Sequence, residues 1–115
     1  MYVPTTHALA SGTYESFPAG GYYGQPFTLP LSAEVAFDVQ CRSTTSCDTF
    51  DVGVFTAEEW SYFSGGQHAT AYGAQNDVKT ANDTVSVPAG DYVLGFLCRN
   101  AVEHCQISYD LSATY

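Results

Sequence analysis

The chain has 115 residues, of which 45% are apolar, 15% aromatic and only 13% charged; globular domains usually carry roughly 25% charged residues. That length holds one domain built around one core. Three basic residues, Arg42, Lys79 and Arg99, face twelve acidic ones for a net charge of −9, which argues against a nucleic-acid partner and an anionic membrane surface, and no apolar run approaches the ~20 residues that span a bilayer.

Nine Tyr, seven Phe and abundant Thr, Ser, Val and Gly against scarce Leu and Lys point to strands rather than helices. The expected class is all-β. Residues 1–12 read as an extended N-terminal segment and 13–115 as one β-sandwich domain. A first edge strand is expected near Thr13–Phe17, then a turn at Ala19-Gly20-Gly21. Tyr22–Leu31 follows with Phe27, Leu29 and Leu31 on one face; Pro26 and Pro30 restrict it to a sheet edge or demand a bulge. Ala33–Cys41 alternates cleanly, with Val35, Phe37, Val39 and Cys41 on one side and Glu34, Ala36, Asp38 and Gln40 on the other. That pattern predicts a strand with one wet face. Asp48–Phe55 predicts another, with Phe50, Val52 and Val54 inward.

Thr56-Ala57-Glu58-Glu59 has the spacing of a capping box, in which the Thr56 hydroxyl and the Glu59 carboxylate each accept from the other residue's N–H. It predicts one short helix at about 57–64, ended by Gly65-Gly66. Residues 66–81 read as a long surface loop with room for a short strand near Thr70–Tyr72. Thr84–Val87 reads as a strand, Pro88-Ala89-Gly90-Asp91 as a tight turn, and Asp91–Cys98 as a strand with Tyr92, Leu94, Phe96 and Cys98 inward. Cys105–Tyr115 alternates over its whole length. Strands at this spacing imply a β-sandwich.

Four Cys in a short acidic chain suggest two disulfides and an oxidising compartment. Cys98 and Cys105 end two predicted strands on one face, as at a hairpin mouth, and Cys41 and Cys47 bracket the other loop. Four Cys allow three pairings; 41–47 with 98–105 is the favoured one, and neither spacing matches a zinc pattern. Met1-Tyr2-Val3-Pro4 shows neither the basic nor the apolar region of a signal peptide, which reads as a mature secreted product.

Taken in order, SFPAGGYYGQPFTLPLSAEVAFDVQC, DTFDVGVFTAEEWSYFSGG, DTVSVPAGDYVLGFLCRN and CQISYDLSATY form a series of motifs. The series resembles the small extracellular β-sandwich modules related to bacterial pre-peptidase C-terminal domains. Those modules carry an AG-x-Y…F-x-L opening, a D-V-x-V-(F/M) strand followed by a short helix, and a V-P-A-G-x-Y-x-L hairpin. The resemblance implies an antiparallel jelly-roll-like sandwich that is secreted and non-catalytic. It also implies that calcium or a polymeric substrate is bound in some relatives.

No nucleophile elbow, zinc-protease helix, P-loop or dinucleotide motif is present. His7, His68 and His104 are far apart in predicted loops or tails, and no catalytic residue is assigned. No cofactor is expected beyond calcium, whose oxygen ligands would be sought among Asp48, Asp51, Asp77 and Asp83; ordinary turn and cap use of these residues is the simpler reading. Tyr62, Tyr22, Tyr23, Tyr72 and Trp60 are candidates for stacking on a sugar or meeting a protein. The competing role for Trp60 and Phe63, three apart on one helix face, is to anchor the helix on the sandwich. Asn82-Asp83-Thr84 is a glycosylation sequon, relevant in a eukaryotic secretory pathway.

Three functions follow. The first is a secreted adhesion or binding module that holds an extracellular polymer, glycan or protein, through its aromatic loops. The second is a self-associating structural subunit of a surface layer, matrix or filament that uses strand-edge addition. The third is a secreted hydrolase, for which no motif speaks.

Overall fold

The computed structural model describes residues 3–18, 22–41, 49–98 and 104–115, with the backbone alone for 13–18 and 104–106. Eight strands form: β1 (Thr6–Pro18), β2 (Tyr22–Leu29), β3 (Ala33–Cys41), β4 (Phe50–Thr56), β5 (Tyr72–Val78), β6 (Thr80–Val87), β7 (Gly90–Cys98) and β8 (His104–Thr114), with the helix α1 (Ala57–Ser64) after β4. They pair antiparallel into two four-stranded sheets, ordered β1-β8-β3-β6 and β2-β7-β4-β5. Consecutive strands change sheet at every step except β4 to β5, where α1 intervenes. This is the double Greek key of a jelly roll.

Period-two alternation builds the core. Val35, Phe37 and Val39 of β3 and Ile107, Tyr109 and Leu111 of β8 face Phe50, Val52 and Val54 of β4 and Leu94, Phe96 and Cys98 of β7. Each side chain removed from water here contributes about 1.5–3 kcal/mol. The Tyr109 hydroxyl donates to Gln25 Oε1 at 2.9 Å, which joins the two sheets across the core. β2 lies at a sheet edge, as Pro26 requires.

The helix begins as expected: Thr56 Oγ1 accepts the Glu59 N–H at 3.1 Å. The Glu59 carboxylate also reaches forward, because Glu59 Oε2 accepts the Thr70 N–H at 3.1 Å and so holds the segment between the helix and β5. At the other end the Gly66 N–H reaches the Phe63 carbonyl and the Gln67 N–H the Tyr62 carbonyl, with Gly66 at φ 79°. That is a Schellman closure, which glycine adopts without strain.

Several expectations change. Residues 6–12, read as a segment outside the sandwich, are the first half of β1. Leu31 lies beyond β2 and is 51% exposed. The 66–81 loop contains all of β5 and the start of β6. β5 escapes a pattern search because it is an edge strand with no fully buried residue, two register shifts, and left-handed backbone at Gly73 and Asp77. The turn at Pro88–Asp91 joins β6 and β7 of opposite sheets and is no hairpin. The same holds for β3 to β4 and β7 to β8, so the cysteine-bracketed loops cross between layers rather than closing hairpin mouths. Cys41 and Cys98 are disulfide-bonded and no described cysteine is free; Cys47 and the Cys105 side chain lie outside the described atoms, and the pairing with them.

Candidate functional site

The outer face of the β2-β7-β4-β5 sheet carries the most built arrangement in the molecule. Register places Gly24 of β2 opposite Gly95 of β7, and Gly95 opposite Gly53 of β4. Three glycines thus lie in one row and leave a trough in the sheet surface. The Trp60 indole lies over Gly24 and Gly95, and Ala71 covers Gly53. A Cβ at Gly95 would lie 2.4 Å from Trp60 Cζ3, and one at Gly24 2.8 Å from Trp60 Cζ2; at Gly53 it would meet the Ala71 Cβ at 2.8 Å. No L side chain fits at these approaches, so glycine is required by close packing.

The rest of the helix follows from its spacing. Trp60 and Phe63 share a face, and both rings meet Phe55 of β4, at centroid distances of 5.8 and 4.5 Å. Tyr22 meets Phe63 edge-on at 5.1 Å. These are ordinary offset and T-shaped aromatic contacts. Trp60, a candidate for ligand stacking or for anchoring the helix, is thus the anchor, and Tyr22, a candidate for ligand stacking, packs against the helix at Phe63. Tyr23 also turns inward, against the core. Tyr62 and Tyr72 remain, 41% and 38% exposed. Tyr62 Oη donates to Glu58 Oε1 at 3.3 Å, while Tyr72 meets Tyr92 edge-on at 6.3 Å. Tyr92 in turn stacks on Phe27 and donates to the Pro88 carbonyl at 2.6 Å. Burial, and then Tyr72 beside it, raise the Tyr92 phenol above its ordinary pKa.

Two of the four aspartates proposed for calcium come together. Asp51, 4% exposed on the outer face of β4, accepts the Asp77 N–H at 2.8 Å. Asp77 sits in left-handed backbone at φ 55°, and its carboxylate accepts from the Thr49 hydroxyl. The pair fastens the irregular end of β5 to β4. Asp83 lies on β6 in the other sheet and accepts the Thr84 N–H at 2.8 Å. Asp48 lies outside the described residues. Among the described residues no three His, Cys, Asp or Glu side chains are grouped to hold a metal.

The opposite sheet has a different outer face. Glu34, Ala36, Asp38 and Gln40 of β3 lie between Thr114, Ser112, Asp110 and Ser108 of β8 and Ser86, Thr84, Asn82 and Thr80 of β6. All of these side chains but that of Ala36 are polar, and none is basic. Asp38 stands directly opposite both Asp110 and Asn82, and exposed Asn82 is the sequon residue. An open depression of about 510 Å³ over Asp38, Asn82, Thr84 and Asp110 occupies this face. A second, of about 650 Å³, lies at the end of the sandwich between Pro4, Leu31, Val87, Pro88 and Tyr115. Neither lining includes a His or Cys. His7 stacks on Tyr115 at 4.1 Å, while His68 is exposed beyond α1.

The glycine row is the feature that sequence reading missed. A glycine inside a strand signals a close approach, and Gly24, Gly53 and Gly95 each stand in one. Their alignment appears only once the register is known.

No family model and no curated protein matches the sequence. Among solved structures, the chain is similar to one from "Acidic stable capsid structure of Helicobacter pylori bacteriophage KHP30", with a TM-score of 0.53 and 13% identity, over 98% of this chain and 94% of that one. At that identity the likeness speaks for the fold.

Proposed function

We propose that this chain is a non-catalytic structural subunit that assembles with copies of itself into a protein shell or layer. The observation that carries the reading is the extent of the likeness to the phage capsid chain: the two chains match nearly end to end, at 98% and 94% coverage. A jelly roll offers strand edges and flat faces as its working surfaces. The aromatic side chains that would serve a binding module are mostly engaged, with Trp60, Tyr22 and Tyr23 packed against the protein itself. The resemblance to extracellular sandwich modules supports the same non-catalytic role. The disulfide-bonded Cys41 and Cys98 fit an assembly that works in an oxidising exterior.

The net charge of −9 opposes close packing of copies, so assembly should strengthen with salt or divalent cations. Light scattering and negative-stain microscopy over rising protein concentration, with and without added magnesium or calcium, test the reading. Regular oligomers or particles are the expected result. Monomers under every condition would overturn it.

A further inference from the structure

The proposed assembly needs a contact surface, and the four sheet edges differ sharply in their capacity to provide one. β2 carries Pro26, which has no N–H to donate. β5 is broken by two register shifts and by left-handed backbone at Gly73 and Asp77. β6 faces β5, whose Gln75 Nε2 donates to the Asn82 carbonyl at 3.2 Å and caps that edge. β1 is the longest strand, at 13 residues, and ends its sheet with β8 as its partner.

Within β1 the register is regular over five residues, Ala10 to Tyr14, between bulges at Ala8/Ala10 and Tyr14/Phe17. Ser11 and Gly12 are exposed. Charge separates this edge from the rest of the surface. No Asp, Glu, Lys or Arg occurs before Glu15 in a chain that carries twelve acids. Natural proteins guard edges with charge, Pro or bulges; the Ala10–Tyr14 run has none of them.

We infer that the outer edge of β1 pairs antiparallel with β1 of a second copy, about a two-fold axis near Gly12. This rests on the assembly reading above and names its contact. A five-residue antiparallel run is self-complementary under a two-fold: Ala10 faces Tyr14 of the other copy, and Ser11 its Thr13. The β1-β8-β3-β6 sheets of the two copies then become one eight-stranded sheet. The neutral edge lets two acidic molecules approach where their repulsion is smallest.

Hydrogen–deuterium exchange of the intact chain, at concentrations below and above association, reads the contact directly. The outward-pointing amides among residues 10–14 should gain protection on association, the others being bonded to β8 already. Protection gained at another strand while these amides stay unchanged would overturn the proposal and leave the assembly reading standing. Substitution gives a second readout. Alternate N–H groups of a strand point to opposite sides, so in one of Ser11→Pro and Gly12→Pro the lost N–H is the outward one. The variant that keeps the wild-type melting transition should associate more weakly by roughly ten-fold or more, the equivalent of about two lost backbone hydrogen bonds. Undiminished association in that variant would also overturn the β1 contact. A wild-type chain that never associates removes both the contact and the reading beneath it.

Discussion

The two outer faces of the sandwich obey the same alternation and end in opposite states. On the β1-β8-β3-β6 sheet the outward positions are mostly Ser, Thr, Asp, Asn, Gln and Glu, and most of them meet water. On the β2-β7-β4-β5 sheet the outward positions of β7 and β4 include Val93, Gly95, Gly53 and Phe55, all buried because α1 and, at Gly53, Ala71 beyond it lie over them. The difference teaches where a short helix can dock. An eight-residue helix has too little surface to bury on its own; it is held by one indole in a glycine row and by the ring cluster around Phe55 and Phe63. The covered face therefore depends on exact fit, whereas the bare face tolerates change.

The largest expected effect lies between the two faces, in the core that both share. Phe96→Ala removes a fully buried ring and should cost about 3–5 kcal/mol, read as a lower denaturant midpoint. Gly95→Ala comes next and breaks the covered face alone. Its methyl would enter the indole position, at an expected cost of about 1–3 kcal/mol. Trp60 is the chain's one tryptophan, so a shift of its emission to longer wavelength reports the displacement; unchanged emission would mean that the trough is not the anchor. Thr56→Ala removes the cap of α1 and should cost about 1 kcal/mol, with the same fluorescence change in weaker form. On the bare face, Asp38→Asn relieves two carboxylates placed directly opposite each other. It should stabilise by about 0.2–1 kcal/mol, less at high salt; a loss of stability would show that Asp38 has a binding partner on that face.

The smallest effect appears only at high pH. The Tyr92 phenol is raised above its ordinary value near 10 by burial and by Tyr72. Below that value both folded and unfolded chains keep the proton, and the contribution is fully present. As pH rises past it, the unfolded chain loses the proton first, and stability falls through the window up to the folded pKa. Tyr92→Phe should remove this part of the alkaline loss, which unfolding curves at neutral and alkaline pH compare.

Legibility in the sequence followed how local each signal was. β3 was readable to the residue, since Val35, Phe37 and Val39 alternate with polar neighbours in one buried-and-wet strand. The helix was readable because Thr56 and Glu59 sit at a fixed local spacing. β5 was not, because its residues answer to Asp51 and to the β4 edge rather than to a pattern of their own. The site was legible in part: the spacing of Trp60 and Phe63 offered the helix anchor, whereas the glycines under the indole lie 35 and 36 positions from Trp60 and the Phe63 partner of Tyr22 lies 41 away.

What the residues determined by themselves was the alternation, the turns, the helix cap and hence a sandwich of apolar inner faces, since burial drives each strand to present its period-two stripe. Which sheet each strand joins, and so whether a turn closes a hairpin or crosses between layers, was decided only by the packing of all eight strands together. The same packing aligned three separated glycines, two of which, Gly24 and Gly95, make the place for one indole, because cross-strand register is a property of paired chains and of no single segment.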